Sequence, residues 1–120
     1  MRSDPALRPV LDYYRHVDAD EVGALVALFA EESVYHRPGY PPLRGHADLR
    51  RFYTAERVIA GGRHRLATIV RDDRTVAVSG TFDGTLKDGT AVSVGFADFF
   101  TLTADGRFAE RRTYFDAAAV

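Results

Sequence analysis

Residues 92–102 alternate between two kinds of side chain, and this pattern constrains the fold more than any other. The even-numbered positions carry valine, phenylalanine or leucine, with Asp98 as the exception. Because successive side chains of a strand point to opposite faces, the pattern predicts a β-strand with one buried face. It places the Asp98 carboxylate in the middle of that face. The alternative is a position at a sheet edge or a bulge, where Asp98 would face water.

The rest of the chain divides into a helical first half and a strand-rich second half. Apolar residues recur at helical spacing over residues 7–17 and again over 22–29, where Asp18 or Asp20 is placed to cap the second helix. A short strand over 33–37 and a third helix over 47–60, stopped by Gly61 and Gly62, complete this half. Three Asp-containing turns, at residues 72–73, 88–89 and 105–106, then separate four strand-like runs. Helices followed by an antiparallel meander predict an α+β fold, with the helices on one face of a curved sheet.

The two Asp-Gly turns extend the buried face to neighbouring strands. If each is a two-residue hairpin turn, directly opposed residues share a face. The predicted concave surface then consists of Ser79, Thr81, Asp83, Phe96, Asp98, Arg111, Thr113 and Phe115. Such a mixture of apolar walls and a few polar groups is typical of a small-molecule pocket, although a structural Asp–Arg pair in an ordinary core is the alternative.

Length and composition exclude several classes of function. The chain has 120 residues, which predicts one domain over 1–120, and a net charge of −1, which predicts no binding to nucleic acid or membrane. It has no cysteine and only four histidines without ligand-like spacing, so no metal or other cofactor is expected. The N-terminus has no apolar core of the signal-peptide kind, and we expect the protein in the cytoplasm.

Five segments together resemble the nuclear-transport-factor-2-like superfamily, in particular its SnoaL-like polyketide-cyclase and ketosteroid-isomerase branches. These segments are residues 14–20, 28–35, 45–53, 96–100 and 105–108. The resemblance implies a cone of three N-terminal helices packed on a curved, mostly antiparallel sheet that encloses an apolar pocket. It also implies a homodimer formed through the outer face of the sheet.

Ketosteroid isomerase supplies roles for individual residues. Its oxyanion hole, a tyrosine and a protonated aspartic acid, matches Tyr13 and Asp98, and a supporting tyrosine matches Tyr53. Its general base, an aspartate before a proline, matches Arg37, which cannot accept a proton at neutral pH. Asp83 is therefore the candidate base, since the predicted register places it on the same face as Asp98.

The limonene-epoxide-hydrolase branch is the second comparison. It also places an acid near Asp83, but its Arg-X-Asp element is not reproduced because Thr81 stands in the arginine position. Its second acid matches Thr113. The resemblance therefore disfavours epoxide hydrolysis by that machinery.

These matches predict an enzyme that acts on a small hydrophobic carbonyl compound through an enolate-like intermediate, by isomerisation, cyclisation or dehydration. Tyr13 and protonated Asp98 would donate hydrogen bonds to the carbonyl oxygen, and Asp83 would accept the proton. The substrate-binding residues would be Arg37, Tyr53, Phe96, Phe100, Arg111, Thr113 and Phe115. The alternatives are a non-catalytic small-molecule-binding or scaffold protein of the same fold, and a hydrolase that activates water between Asp83 and Asp98.

Three histidines are interpreted as structural or surface residues. His16 is expected on a helix surface, and His36 is expected to face a helix or solvent. His64 lies beside the double glycine, in a segment interpreted as an exposed basic turn, with the mouth of the cone as the alternative.

Overall fold

In the computed structural model, which describes residues 4–117, the chain forms three α-helices and six β-strands. The helices are α1 (Arg8–Asp18), α2 (Val22–Ala27) and α3 (Gly45–Arg51). A 3-10 turn (Pro5–Leu7) precedes α1, and a π-helical turn (Phe52–Glu56) continues α3. The strands are β1 (Phe29–His36), β2 (Leu43–Arg44), β3 (Ile59–Asp72), β4 (Thr75–Leu86), β5 (Ala91–Leu102) and β6 (Phe108–Phe115).

The six strands form one sheet in the order β2-β1-β6-β5-β4-β3. All neighbours are antiparallel except β1 and β6, which are parallel. The helices pack on one face of this open, curved sheet, which confirms the predicted α+β class. No helix within residues 4–117 has the length and apolar character needed to span a membrane.

Helix α1 covers the centre of the concave face. Its buried residues Val10, Tyr13, Tyr14 and Val17 fall on one stripe of the helix. The ring of Tyr14 lies 5.8 Å from the ring of Phe96, and the ring of Tyr13 lies 5.9 Å from that of Phe100, centroid to centroid. The even-numbered residues 94–102 of β5 are buried against this helix, as the alternation predicts.

Both Asp-Gly turns contain three residues between the paired positions instead of two. At the first turn, the Leu86 N–H donates to Thr90 O and the Gly89 N–H to Leu86 O, with Gly89 at φ +90°. The pairing along β4 is therefore one residue away from the prediction, with Phe82 opposite Val94. The predicted inward positions of Ser79, Thr81 and Asp83 are wrong, because a slip of one residue turns a strand over.

The second turn has the same form but a different effect. The Thr103 N–H donates to Arg107 O across the turn, and Gly106 has a φ of +88°. Here β6 contains one unpaired residue, Ala109, between Phe108 and Glu110. The extra loop residue and the bulge cancel, so that Arg111 lies opposite Phe100, as predicted.

The third helix ends earlier than predicted. Helical structure stops at Glu56, where the Arg57 N–H donates to Phe52 O to close the π-helical turn, and Gly61 and Gly62 lie inside β3. Glycine is needed at Gly62 because a Cβ there would stand 2.5 Å from Cζ of Phe82. Gly62 is therefore part of a packing surface for an aromatic ring, and the double glycine is not a helix stop.

Two further boundaries differ from the sequence prediction. Phe29 opens β1 instead of closing the second helix, and α2 has no side-chain cap. Asp18 is bonded to His64, and Asp20 occupies the left-handed region at φ +58°.

Candidate functional site

A cavity lies between α1, the π-helical turn and the concave face of the sheet, and we call it the central cavity. Its lining residues are Tyr13, Arg37, Tyr53, Arg57, Ile59, His64, Phe82, Phe96, Asp98, Arg111, Thr113 and Phe115. About 370 Å³ lies between these side chains, including the part that opens to solvent. Only about 20 Å³ of this space admits the centre of a water molecule, so a substrate larger than a few atoms must displace part of the wall. Cationic and aromatic residues mix in this wall, which is more polar than the predicted apolar pocket.

Asp98 lies at the floor of the cavity and is completely buried. Its Oδ2 accepts hydrogen bonds from the Tyr14 hydroxyl and from Nη2 of Arg111, the latter at 2.9 Å, and its Oδ1 accepts one from the Thr113 hydroxyl. Three donors, one of them a cation, are the environment of an ionised carboxylate, which only accepts. This arrangement favours a buried ion pair with Arg111 and does not support the protonated donor that the resemblance implied.

Arg111 is the centre of a second set of contacts. Its guanidinium lies between the rings of Tyr13 and Tyr35, 4.4 Å from each centroid, and is 3% exposed. Its Nη1 donates to the hydroxyl oxygens of Tyr13 at 2.7 Å and Tyr53 at 3.3 Å. Asp98 therefore balances the charge of Arg111 on one side, while the two tyrosines accept its protons on the other.

The Tyr13 and Tyr53 hydroxyls also bond each other, 2.5 Å apart. Two hydroxyls hold two protons, and this bond uses one of them, so the other proton is available to a group in the cavity. Burial raises the pKa of both phenols, which stay neutral donors at physiological pH. The tyrosine pair is thus placed to donate one hydrogen bond into the cavity.

Arg37 follows the end of β1 and is 8% exposed. Its Nη1 donates to the Tyr35 hydroxyl at 3.2 Å, and that hydroxyl lies 3.1 Å from Oγ1 of Thr113. Since the Thr113 proton goes to Asp98, the Tyr35 hydroxyl donates to Thr113. A continuous hydrogen-bond chain therefore joins Arg37 to Asp98.

His64 forms the opposite wall of the cavity, and its side chain is 12% exposed. It faces Phe82 across β3 and β4, with the two rings 4.8 Å apart. Its Nδ1 lies 2.6 Å from Oδ1 of Asp18, and its backbone N–H donates to Oδ2 of the same carboxylate at 2.9 Å. Within residues 4–117, no hydrogen bond engages Nε2. A carboxylate that accepts the Nδ1 proton leaves Nε2 with a lone pair, which is the arrangement of a histidine general base.

The structure separates the predicted site residues into three groups. Eight of them line the central cavity: Tyr13, Arg37, Tyr53, Phe96, Asp98, Arg111, Thr113 and Phe115. Phe100 is fully buried in the core between the rings of Tyr13 and Phe108 and does not line the cavity. Asp83 lies on the outer face of the sheet, where Arg65 bonds it at 2.7 Å and its side chain is 41% exposed.

Asp83 is therefore not a base for the cavity, and the water-activating pair of Asp83 and Asp98 does not exist. A hydrogen bond from Ser93 and the charge of Arg65 lower the pKa of Asp83. Both effects stabilise its carboxylate on the outer face.

Sequence reasoning missed two cavity features. Tyr14, and not Tyr13, bonds Asp98; both tyrosines lie on the buried stripe of α1, so the helical pattern does not distinguish them. The Asp18–His64 pair joins residues 46 positions apart, and no local motif marks it. His16 and His36 have the exposed or half-buried positions expected, paired with Glu21 and Glu110.

Residues 4–117 contain no group of three or more His, Cys, Asp or Glu side chains placed to hold a metal ion. The groups available for chemistry at the cavity are the imidazole, the phenols, the guanidinium groups and one buried carboxylate.

Comparisons with known proteins agree with this architecture. Residues 10–111 match the model of the SnoaL-like domain family. No protein in a search of curated sequences matches the chain.

Among solved structures, the epoxide hydrolase/cyclase-like enzyme SalBIII, described for pyran ring formation in the polyether salinomycin, is similar with a TM-score of 0.81 and 23% identity. That match covers 92% of this chain and 89% of SalBIII. TerC co-crystallised with polyporic acid matches with a TM-score of 0.83 and 21% identity, over 94% of this chain and 92% of TerC.

An NTF2-like protein of unknown function from Burkholderia pseudomallei matches with a TM-score of 0.86 and 17% identity, over 95% of this chain and 92% of that one. At these identities the likeness to solved structures establishes the fold.

Proposed function

The chain belongs to the SnoaL-like domain family, and we propose that it is an enzyme that moves a proton on a small carbonyl compound through an enolate-like intermediate. The observation that carries this proposal is His64, which lies in the wall of the central cavity with its Nδ1 bonded to Asp18. It supplies the base that is absent at Arg37 and that Asp83 cannot provide from the outer face.

In the proposed step, Nε2 of His64 takes a proton from the carbon beside the carbonyl group. The electron pair of that C–H bond forms a carbon–carbon double bond, and the carbonyl oxygen gains the negative charge. The free hydroxyl proton of the Tyr13–Tyr53 pair stabilises this oxygen, and the charge of Arg111 behind the pair strengthens the donation. Return of the proton to another carbon gives an isomer. Attack of the enolate on a second carbonyl carbon gives a ring, whose alkoxide oxygen takes up the proton held by His64. Loss of a β-hydroxyl group, which leaves as water with that same proton, gives a dehydrated product.

Asp98 acts in this proposal through Arg111 and not on the substrate. Its three accepted bonds come from Tyr14, Thr113 and Arg111, and they fix the guanidinium beneath the tyrosine pair. Asp98 is therefore a positioning residue.

Substitution of His64 tests the proposal. Small aryl ketones, with and without a carboxylate group, are incubated in D₂O, and deuterium incorporation beside the carbonyl is followed by NMR. We expect the wild-type protein to accelerate exchange with at least one compound. His64→Gln should lower that rate about 10²- to 10⁴-fold, the usual contribution of a general base.

His16→Gln is the matched control, because His16 has the same kind of carboxylate partner, Glu21 at 2.7 Å, on the far side of α1 from the cavity. Full exchange activity in a folded His64→Gln variant would refute the role of His64. If the wild-type protein binds these compounds without exchanging them, the non-catalytic binding protein is the better interpretation.

The homodimer and the cytoplasmic location stay predictions. Phe99 and Tyr114 are large apolar residues exposed on the outer face of β5 and β6, with their rings 6.0 Å apart. They are the part of this face that a second copy would cover.

A further inference from the structure

Arg37 is a buried cation whose hydrogen-bonding capacity is mostly unused. Only Nη1 has a partner, the Tyr35 hydroxyl, while Nε and Nη2 are buried without one. Within residues 4–117, no carboxylate lies within 4.0 Å of its guanidinium, whereas the other buried charges of the cavity, Asp98 and Arg111, pair with each other. A guanidinium loses its hydration on burial, so unpaired N–H groups at this position are costly.

Three aromatic rings surround this guanidinium. Its central carbon lies 5.1 Å from the ring centroid of Phe115, 5.2 Å from that of Phe52 and 5.9 Å from that of Tyr40. Cation–π contacts stabilise the positive charge, but they do not accept the N–H protons that lie in the guanidinium plane. The rings therefore hold the group in place without satisfying the N–H protons of its edge.

The two unpaired nitrogens define the ligand chemistry. Nε–H and one Nη2–H point in the same direction along one edge of the guanidinium, and this edge matches the two oxygens of a carboxylate. Arg37 lines the central cavity together with Arg57 and Arg111. Against these three cations the cavity wall presents one carboxylate, Asp98, which Arg111 already neutralises.

We propose that Arg37 is a carboxylate-binding site and that the substrate of the central cavity is a small organic acid with an aromatic or other flat apolar body. The carboxylate would bond Nε and Nη2, and the body would pack against Phe115. This inference rests on the proposed function only in treating the bound acid as a substrate, since carboxylate binding at Arg37 does not depend on turnover. With the acid group held at the end of β1, the opposite part of the molecule extends toward His64 on β3.

Binding of benzoate and of benzamide, its neutral isostere, tests the site. Both are titrated into the wild-type protein at low salt, with two-dimensional NMR or calorimetry as the readout. We expect benzoate to bind at least about 10-fold more tightly than benzamide, because a bidentate charge-assisted pair is formed only by the acid. Arg37→Met should remove this preference. Arg37→Lys should retain part of it, because the charge remains but the two-nitrogen edge does not.

Arg50→Met is the matched control, since Arg50 is an exposed arginine on α3 and outside the cavity. Its preference for benzoate should equal that of the wild-type protein. Equal binding of benzoate and benzamide by the wild-type protein, no benzoate binding up to about 10 mM, or an unchanged preference in Arg37→Met would each overturn the proposal.

Failure of the proposed function has a different signature. His64→Gln should keep the preference for benzoate, because its substitution leaves the Arg37 edge intact. If His64→Gln also keeps full exchange activity while Arg37→Met loses the preference, the carboxylate site stands and the assignment of the base falls.

Discussion

Replacement of Asp98 by asparagine distinguishes an ionised Asp98 from a neutral one. The change preserves shape and removes the negative charge, which leaves the guanidinium of Arg111 buried at 3% exposure without its counter-ion. If Asp98 is ionised, as its three donors indicate, Asp98→Asn breaks a buried ion pair. If Asp98 were a neutral acid, the substitution would remove no charge and cost little.

The structure gives the size of the expected effect. Breaking one partner of a buried ion pair costs about 3–5 kcal/mol. With an unfolding entropy of about 2.1 cal/mol/K per residue, a domain of 120 residues has about 250 cal/mol/K, so this loss lowers Tm by roughly 12–20 °C. The hydrogen bonds from Tyr14 and Thr113 can reorganise around an amide, since the Thr113 hydroxyl is able to accept as well as donate.

Urea unfolding and calorimetry measure this loss, with Asp20→Asn as the control. Asp20 is exposed at φ +58°, a conformation that asparagine also adopts, so that change should stay within about 0.5 kcal/mol. Addition of Arg111→Met to Asp98→Asn should recover part of the stability, because no unpaired charge then remains in the core. A loss below about 1 kcal/mol in Asp98→Asn would refute the ion pair.

Two further predictions concern stability. Burial raises the pKa of Tyr13 and Tyr14, with the Asp98 carboxylate as the second cause for Tyr14, so only the unfolded chain ionises these phenols as pH rises through about 10. Their stabilisation is complete below that pH, and above it the free energy of unfolding should fall by about 1.4 kcal/mol per pH unit for each tyrosine. Tyr14→Phe should reduce the total loss of unfolding free energy between about pH 9 and 11 by about 1.4 kcal/mol in urea unfolding, and an unchanged loss would contradict the assignment. Gly80→Ala should destabilise the fold by about 1–3 kcal/mol, because the new Cβ would stand 2.2 Å from the backbone oxygen of Arg65. Gly23→Ala in α2 meets no atom within 4 Å and should stabilise the fold by about 0.5–1 kcal/mol, so equal effects of the two substitutions in thermal unfolding would count against the packing argument.

The α+β class and the concave face of β5 were predictable because they depend on patterns that extend over many residues. Period-2 alternation and the helical stripe of α1 each involve several apolar residues, so a single exception such as Asp98 does not obscure them. Residue type and spacing alone therefore place Asp98 on the concave face of β5.

The register of β4 was not predictable, because an Asp-Gly dipeptide occurs in hairpin turns of two residues and of three. Asp88-Gly89 and Asp105-Gly106 both belong to three-residue turns, and only the second is compensated by a bulge. The bulge at Ala109 has no signature in residue type, so the correct register of β6 came from two errors that cancel. On β4 the single error exchanged Phe82 for Asp83 and thereby named the wrong base.

The Asp18–His64 pair was not predictable from the sequence for a related reason. It depends on where the end of α1 meets β3, and β3 was predicted to begin only after the double glycine. A Cβ at Gly62 or Gly84 would stand 2.5 Å from the Phe82 ring, which explains why glycine is required at Gly62 within a strand. A prediction from sequence cannot weigh such a contact, because its partner lies 20 residues further along the chain.

The bulge at Ala109 also has a consequence for how a chain of this kind can change its length. The extra residue of the 104–106 turn and the extra residue in β6 are separate insertions, and their effects on the register of β6 against β5 cancel. Loss of either one alone would rotate β6 by one position and expose Arg111 and Thr113 to the outer face. The two residues are therefore expected to be gained and lost together among natural relatives. A designer who shortens this turn has to straighten the strand in the same step.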